Sequence, residues 1–423
     1  MGNKLKNERP RGLRPVKRIE LSEKNVKQRW ILIVVFLLIA VGALGYGLHA
    51  LLSTEPGWVE IEAVSENMHC GEDFIFSYCL GRGEMASANE KRLVTALYSE
   101  AAVNAYRWFD RYQSFDGVVN LHYINTHPNE VLTVDPVLYQ AFAKVLADGN
   151  RRLYLGALCE EYEVLFFGFE HYAAAEDSDP YRNEEFRETC RQMAAYAADP
   201  EAITLELLGE NRVRLSISEE YAAFGAANGV SAYIDFFRMK NAFVIDYIAD
   251  VMLRNGLTHG CISSYDGYVR NLDASGTEYT IHLFDLQGVN VYNVGSLYYQ
   301  QPMAIVSLRS YAMGEKDATF FFPMSDGRTV TPYIDPADGM YRTSTDSLIS
   351  VSGTMGCADV LLKMLPIYVS DEWSVEALNA LSDAGVHSIW FGENTLYYND
   401  AGLRFSELYS GEDVSYQAVF VAP

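Results

Sequence analysis

The sequence is poor in the residues that announce a metal centre. It holds eight histidines and six cysteines in 423 residues. No CxxC, HExxH or close His/Cys grouping occurs among them, so the pattern gives no reason to expect zinc. Basic residues are scarce beyond the first thirty. Residues 1–29 carry ten Lys/Arg against three acids, a local surplus of seven positive charges, so the rest of the chain carries −30 within a total of −23. A surface that acidic repels the phosphates of nucleic acid and anionic lipid head groups, which excludes nucleic-acid binding. No internal repeat and no low-complexity block is present, which excludes solenoid and linker-dominated architectures.

One long apolar run stands out, Trp30 to Leu52, with His49 its only strongly polar residue. A membrane-spanning helix needs roughly 20 such residues. The basic flank lies on its N-terminal side, so the positive-inside rule places residues 1–29 in the cytoplasm and everything after the run outside. The run is longer than the apolar part of a signal peptide, and no small-x-small cleavage site follows it, so an anchor is expected rather than a cleaved leader. No cysteine lies close enough for a lipid-modified N-terminus. The expected organisation is a basic cytoplasmic tail (1–29), a transmembrane helix (30–52), a linker (53–70) and one large extracytoplasmic domain (71–423). In that compartment the six cysteines are free to form disulfides, with Cys70 and Cys79 the only close pair, or to stay as scattered buried thiols.

Periodicity along the large domain predicts a strand at Asp73–Leu80 and a long amphipathic helix at Ser87–Tyr112, whose buried face would carry Leu93, Leu97, Ala101, Ala105 and Phe109. Further helices are expected at Pro136–Leu146, Glu184–Ala198, Glu201–Leu208 and Asn241–Arg254, the last closed by Gly256. Strands crowd the C-terminal half: Val269–Leu272, Tyr279–Phe284, Met303–Leu308, Thr319–Phe322 and Leu348–Val351. A short strand is read at Val213–Ser216, and a late helix at Ser374–Ala384 precedes strands near Ser388–Phe391 and Thr395–Tyr398. Ala274-Ser275-Gly276-Thr277 reads as a hairpin turn. Helices first and strands later argue for an α+β fold.

Four stretches combine acids with glycines or turn residues. The first runs from Ile234-Asp235-Phe236-Phe237-Arg238-Met239-Lys240-Asn241-Ala242 to Asp246. The second is Ser263-Ser264-Tyr265-Asp266-Gly267, the third Tyr333-Ile334-Asp335-Pro336-Ala337-Asp338-Gly339 and the fourth Gly356-Cys357-Ala358-Asp359 to Lys363. Each alone has a plain structural reading. Asp-Pro-Ala-Asp-Gly is turn chemistry, acids four apart on a helix are usually a solvated face, and Asp359 before an apolar run suits an N-cap.

Their order along the chain resembles the FAD:protein FMN transferase family, also called the ApbE-like or thiamine-biosynthesis lipoprotein family. The likeness begins at Phe109-Asp110-Arg111-Tyr112-Gln113-Ser114-Phe115 and passes through Asn125, Val134-Asp135-Pro136 and Gly156. The first stretch is similar to Leu-Asp-Leu-Gly-Gly-Ile-Ala-Lys-Gly-Tyr-Ala-Val-Asp without a gap. Asp235 and Asp246 match, Phe237-Arg238 replace the Gly-Gly pair, and Asn241 and Ala242 replace Lys and Gly. The second falls at Asn-x-Gly-Gly and keeps Gly267. The third resembles His-Ile-Ile-Asp-Pro-x-Thr-Gly, with Pro332 at the His. The fourth resembles Ala-Asp-Ala-x-x-Thr, with Lys363 at the Thr.

The resemblance implies a single flavin-transferase-like domain that moves FMN from FAD, with Mg²⁺, onto a Ser or Thr of an extracytoplasmic protein. By it, Asn241 and Asp246 are catalytic, Asp235, Phe237, Arg238, Ala242, Asp266, Gly267 and Asp335 bind cofactor, and Asp359 binds metal. FAD and magnesium are the cofactors implied, and an extracytoplasmic flavoprotein the partner. Asn241, Asp335 and Asp359 would then converge on one nucleotide cavity. The replacements cut against catalysis: Lys363 offers magnesium no oxygen, and Phe237 and Arg238 fill space that glycines leave open. Lys363 either points inward and pairs with Asp359 in place of the metal, or snorkels outward. A catalytically inactive relative, acting as a membrane-tethered binding or scaffold module, is the alternative reading.

Overall fold

The computed structural model describes residues 26–52, 54–65, 70–147, 149–167 and 177–422. Residues 1–25 of the basic tail and residues 66–69 of the expected linker lie outside the described residues. The chain forms two units, Met1–Thr54 and Glu55–Pro423.

In the first unit the apolar run lies within a 27-residue helix, Val26–Leu52, about 40 Å long at 1.5 Å per residue. None of its residues whose exposure is described is buried; Trp30 and Leu37 are both more than three-fifths exposed. Such a helix has the length and composition to cross a membrane.

The second unit is a mixed α+β domain around a nine-stranded sheet. From one edge the strands are Gly57–Ile61, Phe74–Leu80, Gly260–Ser264, Tyr268–Asn271, Met303–Arg309, Ser347–Ser352, His387–Gly392, Thr395–Tyr398 and Gln417–Phe420. Neighbours are antiparallel except the last pair, which is parallel. The middle strands are apolar on both sides because both faces are covered. Ala304, Val306 and Leu308 join the large core under the helices, while Met303 and Ile305 join a second core under an outer hairpin, Tyr279–Gln287 with Asn290–Tyr299. A three-stranded sheet (Leu132–Thr133, Ile203–Gly209 and Arg212–Ile217) and helices between residues 121 and 228 complete the helical side.

Several expectations change. The linker is not all linker, because Gly57–Ile61 pairs with Phe74–Leu80 as an edge strand. The long helix ends at Trp108, and its buried stripe runs through Val94, Tyr98, Ala101 and Ala105, leaving Leu93 and Leu97 half-buried at its margin. Glu201–Leu208 is not a helix. Ile203 and Leu205 alternate inward on a strand, and the turn that follows places Glu210 at φ 53° and Asn211 at φ 58°. Two left-handed residues between paired strands make a tight hairpin turn, which overrides the helical preference of Glu and Leu. Ala318–Phe320 is a 3₁₀ turn, so only the end of Thr319–Phe322 is strand. Ala274–Thr277 is not a hairpin, because the strands on either side belong to different sheets; Asp273 holds it instead, accepting from Ser275 N at 2.8 Å and from Tyr279 Oη at 2.9 Å. Helices Gly156–Phe167 and Glu219–Asn228 were not anticipated. All six cysteines are free thiols, Cys70 and Cys79 included.

Candidate functional site

The first motif lies at the mouth of helix Lys240–Arg254. The loop before it is pinned by Asn125, whose side chain accepts from Tyr233 N (2.9 Å) and Ile234 N (3.0 Å) and donates to Ile234 O (2.9 Å). That bracket fixes Asp235, whose carboxylate accepts from Phe237 N at 3.0 Å and meets Arg111 Nε at 3.1 Å. Arg111 also binds Glu163, which in turn accepts from Tyr112 Oη at 2.8 Å.

The chain then turns sharply, with Phe237 at φ 41°. A bulky residue there is strained, and this is the position where the resemblance has glycine. Beyond the turn, Arg238 is buried with its guanidinium 3.9 Å from the Phe320 ring centroid and Nη1 3.9 Å from Asp266 Oδ2. Asn241 Nδ2 donates to the same carboxylate at 3.0 Å. Arg238, Asn241 and Asp266 are 8%, 7% and 5% exposed. Each retains a buried polar atom without a hydrogen-bond partner: Arg238 Nε, Asn241 Oδ1 and Asp266 Oδ1. Burial pushes the Asp266 carboxyl above its ordinary range, against the pull of Arg238. Burial does the same at Asp235, against Arg111.

These residues line one cleft of about 210 Å³, with Asp73, Asp110, Glu163 and Lys240 also on its wall. The structure therefore brings together Asp235, Phe237, Arg238, Asn241 and Asp266. It places the other candidates elsewhere. Ala242 is in the hydrophobic core. Gly267 turns the chain at φ 104°, where an added Cβ would lie 2.2 Å from Ser307 O; it borders a different cavity.

Asp246 is engaged structurally. Its two oxygens accept from Cys357 N (2.8 Å) and Ala358 N (2.9 Å), capping helix Cys357–Tyr368, and Arg270 Nε lies 3.2 Å away. Gly356 permits this approach, since a Cβ there would stand 2.3 Å from Asp246 Oδ2. Burial raises the Asp246 carboxyl, with Arg270 opposing. Asp335 closes a turn, accepting from Ala337 N at 2.9 Å and pairing with Arg342 Nη1 at 3.2 Å. Asp359 is not the N-cap of its helix, a place held by Gly356; it pairs with Lys144 Nζ at 2.9 Å. Neither Asp335 nor Asp359 lines the cleft, so the expected convergence of these two with Asn241 is not realised.

Arg111 sits in a stretch that carried the resemblance, yet nothing local marked it as a site residue. Glu163 lies on a helix without a clear sequence signature, and Phe320 lies in a segment read as strand. Their roles emerge only from three-dimensional proximity.

The cofactors implied by the resemblance fit this arrangement poorly. Magnesium needs several hard oxygens in near-octahedral array. Among the described residues no group of three or more His, Cys, Asp or Glu is placed to hold a metal ion. Asp359 faces an ammonium, and Lys363, one turn on, brings no oxygen. A cleft of about 210 Å³ is below the ~300 Å³ at which small-molecule sites begin, so it does not enclose FAD in this conformation.

The features assembled here define a class: one α+β domain on a nine-stranded sheet, with a buried, charged cleft at the start of one helix. Solved structures share the fold. The ApbE protein from Thermotoga maritima superimposes with a TM-score of 0.54 at 14% identity, over 79% of this chain and 94% of that one. The flavin transferase ApbE from Vibrio cholerae does so with a TM-score of 0.51 at 12% identity, over 83% and 97%. No family model and no curated protein matches the sequence. The chain therefore has an ApbE-like fold, as its motif order implied.

Proposed function

We propose that this chain is a flavin-transferase-like protein, anchored by helix Val26–Leu52 with its large domain on the extracytoplasmic side, that uses the fold to bind rather than to run a magnesium-dependent transfer. The observation carrying this reading is the Lys144–Asp359 pair at 2.9 Å. Phosphoryl transfer depends on positioning and on metal charge at the diphosphate. A single ammonium already satisfies the one motif carboxylate matched to a metal ligand, and it is a compact monovalent cation that brings no coordination geometry. The cluster of Asp235, Arg238, Asn241 and Asp266, with its unspent buried donor and acceptors, supports ligand recognition at the cleft. Its partner in this reading is an extracytoplasmic flavoprotein.

The test uses the full chain in lipid nanodiscs with FAD, Mg²⁺ and an acceptor protein bearing an Asp-x-x-Ser/Thr-Gly-Ala-Thr segment. AMP release and covalent flavin on the acceptor are followed together. Neither is expected above the level of FAD alone. Magnesium-dependent AMP release with flavin on the acceptor would make the protein an active transferase.

A further inference from the structure

A larger cavity, about 780 Å³, lies on the opposite face of the sheet from the helices. It exists because the floor is built from small residues: Ser263 and Ser307 on two strands, and Gly267 at the entry to the strand between them. Gly267 cannot be enlarged, since its backbone approaches Ser307 too closely. The walls are aromatic. Trp58 meets Tyr279 edge-to-face with ring centroids 5.8 Å apart, and Tyr279 stacks on Tyr299 at 5.8 Å. Trp58 is 49% exposed, so one large ring stands at the opening with half its surface in water.

The lining carries one carboxylate and one guanidinium. Glu278, the one acid among the described lining residues, is already held by Arg404 Nη2 at 3.0 Å and Gln300 Nε2 at 3.1 Å. Arg309 spends Nη2 on Asp317 at 3.0 Å and on Tyr265 O at 3.4 Å and its Nε is buried, while Nη1 makes no hydrogen bond and is not buried. Lys316 Nζ lies 5.5 Å from the ring centroid of Tyr265, another wall residue. Concave aromatic walls with a few convergent polar groups are the usual make-up of a small-molecule site, and a guanidinium with an unspent donor selects for an acid group.

We propose that this cavity binds a planar aromatic anion, its rings against Trp58 and Tyr279 and its acid group on Arg309. The site is separate from the cleft and does not depend on how the cleft is used.

Naphthalene-2-sulfonate is the probe, titrated calorimetrically into the full chain in nanodiscs, with empty nanodiscs subtracted. Saturable binding at one site is expected, with the neutral naphthalene-2-sulfonamide at least about tenfold weaker. Ser263→Trp, which fills the floor, is expected to abolish binding of both. Arg309→Gln is expected to erase the preference for sulfonate while the sulfonamide still binds, an outcome a merely unfolded variant does not give. Trp58→Ala, at a half-exposed position that tolerates truncation, should weaken both probes several-fold. No saturable binding to the native chain, equal affinity for the two probes, or binding undiminished in Ser263→Trp would each overturn the proposal.

Discussion

At the scale of single residues, Phe237 carries the sharpest consequence. Its φ of 41° is one that glycine adopts freely and a β-carbon resists, at ~1–2 kcal/mol. Replacing an ordinary residue by glycine normally destabilises relative to alanine; here the order should invert. Phe237→Gly is expected to be more stable than Phe237→Ala by ~1 kcal/mol in urea unfolding. It should also raise flavin affinity at least about tenfold by clearing the cleft, read by flavin fluorescence. Equal stability of the two variants would mean the turn is not strained.

Asp266 gives a pH signature. Its folded-state carboxyl titrates above its unfolded value because burial disfavours the charge. The folded state therefore holds its proton to higher pH, and this group's contribution to stability falls as pH rises from about 4 through the raised value. The stability difference between native protein and Asp266→Asn should shrink over that window and level off below it, measured as denaturant midpoints against pH. The opposite slope would place Asp266 in a charge-stabilising site.

At the scale of elements, the bond from Asp246 to the start of helix Cys357–Tyr368 joins two motifs 111 residues apart. Removing it leaves two helix N–H groups without their acceptor and Arg270 without its ion-pair partner. Asp246→Ala should cost ~3 kcal/mol in unfolding free energy. A residue reserved for catalysis would leave stability nearly unchanged. The hairpin turn at Glu210-Asn211 is the reverse case: both residues hold left-handed conformations that Asn-Gly adopts more readily. The replacement Glu210→Asn with Asn211→Gly is expected to gain ~1 kcal/mol.

That hairpin also marks where sequence reading stops. Helix Lys240–Arg254 was legible because its apolar spacing and Gly256 agree, and the need for glycine at 339, φ 74°, was legible as turn chemistry. Ile203–Gly209 was not, since Glu and Leu favour helix locally and only pairing with Arg212–Ile217 decides otherwise. The cleft was half legible. Asp235, Arg238, Asn241 and Asp266 sit in recognisable stretches, but Glu163 and Phe320 reach it through folding alone; away from the cleft, Lys144, 215 residues before Asp359, likewise becomes its partner only through folding.

At the scale of the whole molecule, Glu55–Pro423 holds both hydrophobic clusters. A chain beginning at Glu55 is expected to be soluble and to melt within a few degrees of the full protein, by calorimetry in matched detergent. A large drop would show that helix Val26–Leu52 contributes to the fold.

The register of the central sheet sets a timetable for biogenesis. Phe74–Leu80 finds its inner neighbour only in Gly260–Ser264. With roughly 180 residues between them and synthesis at ~5–20 residues per second, the emerging polypeptide carries an apolar ribbon unmated along its inner edge for ~10–40 s. In the proposed extracytoplasmic location, export must deliver that ribbon across the bilayer while its neighbour is still unmade. Chaperone occupancy outside the cytoplasm, more than the final free energy, would then decide how much of the protein survives to assemble.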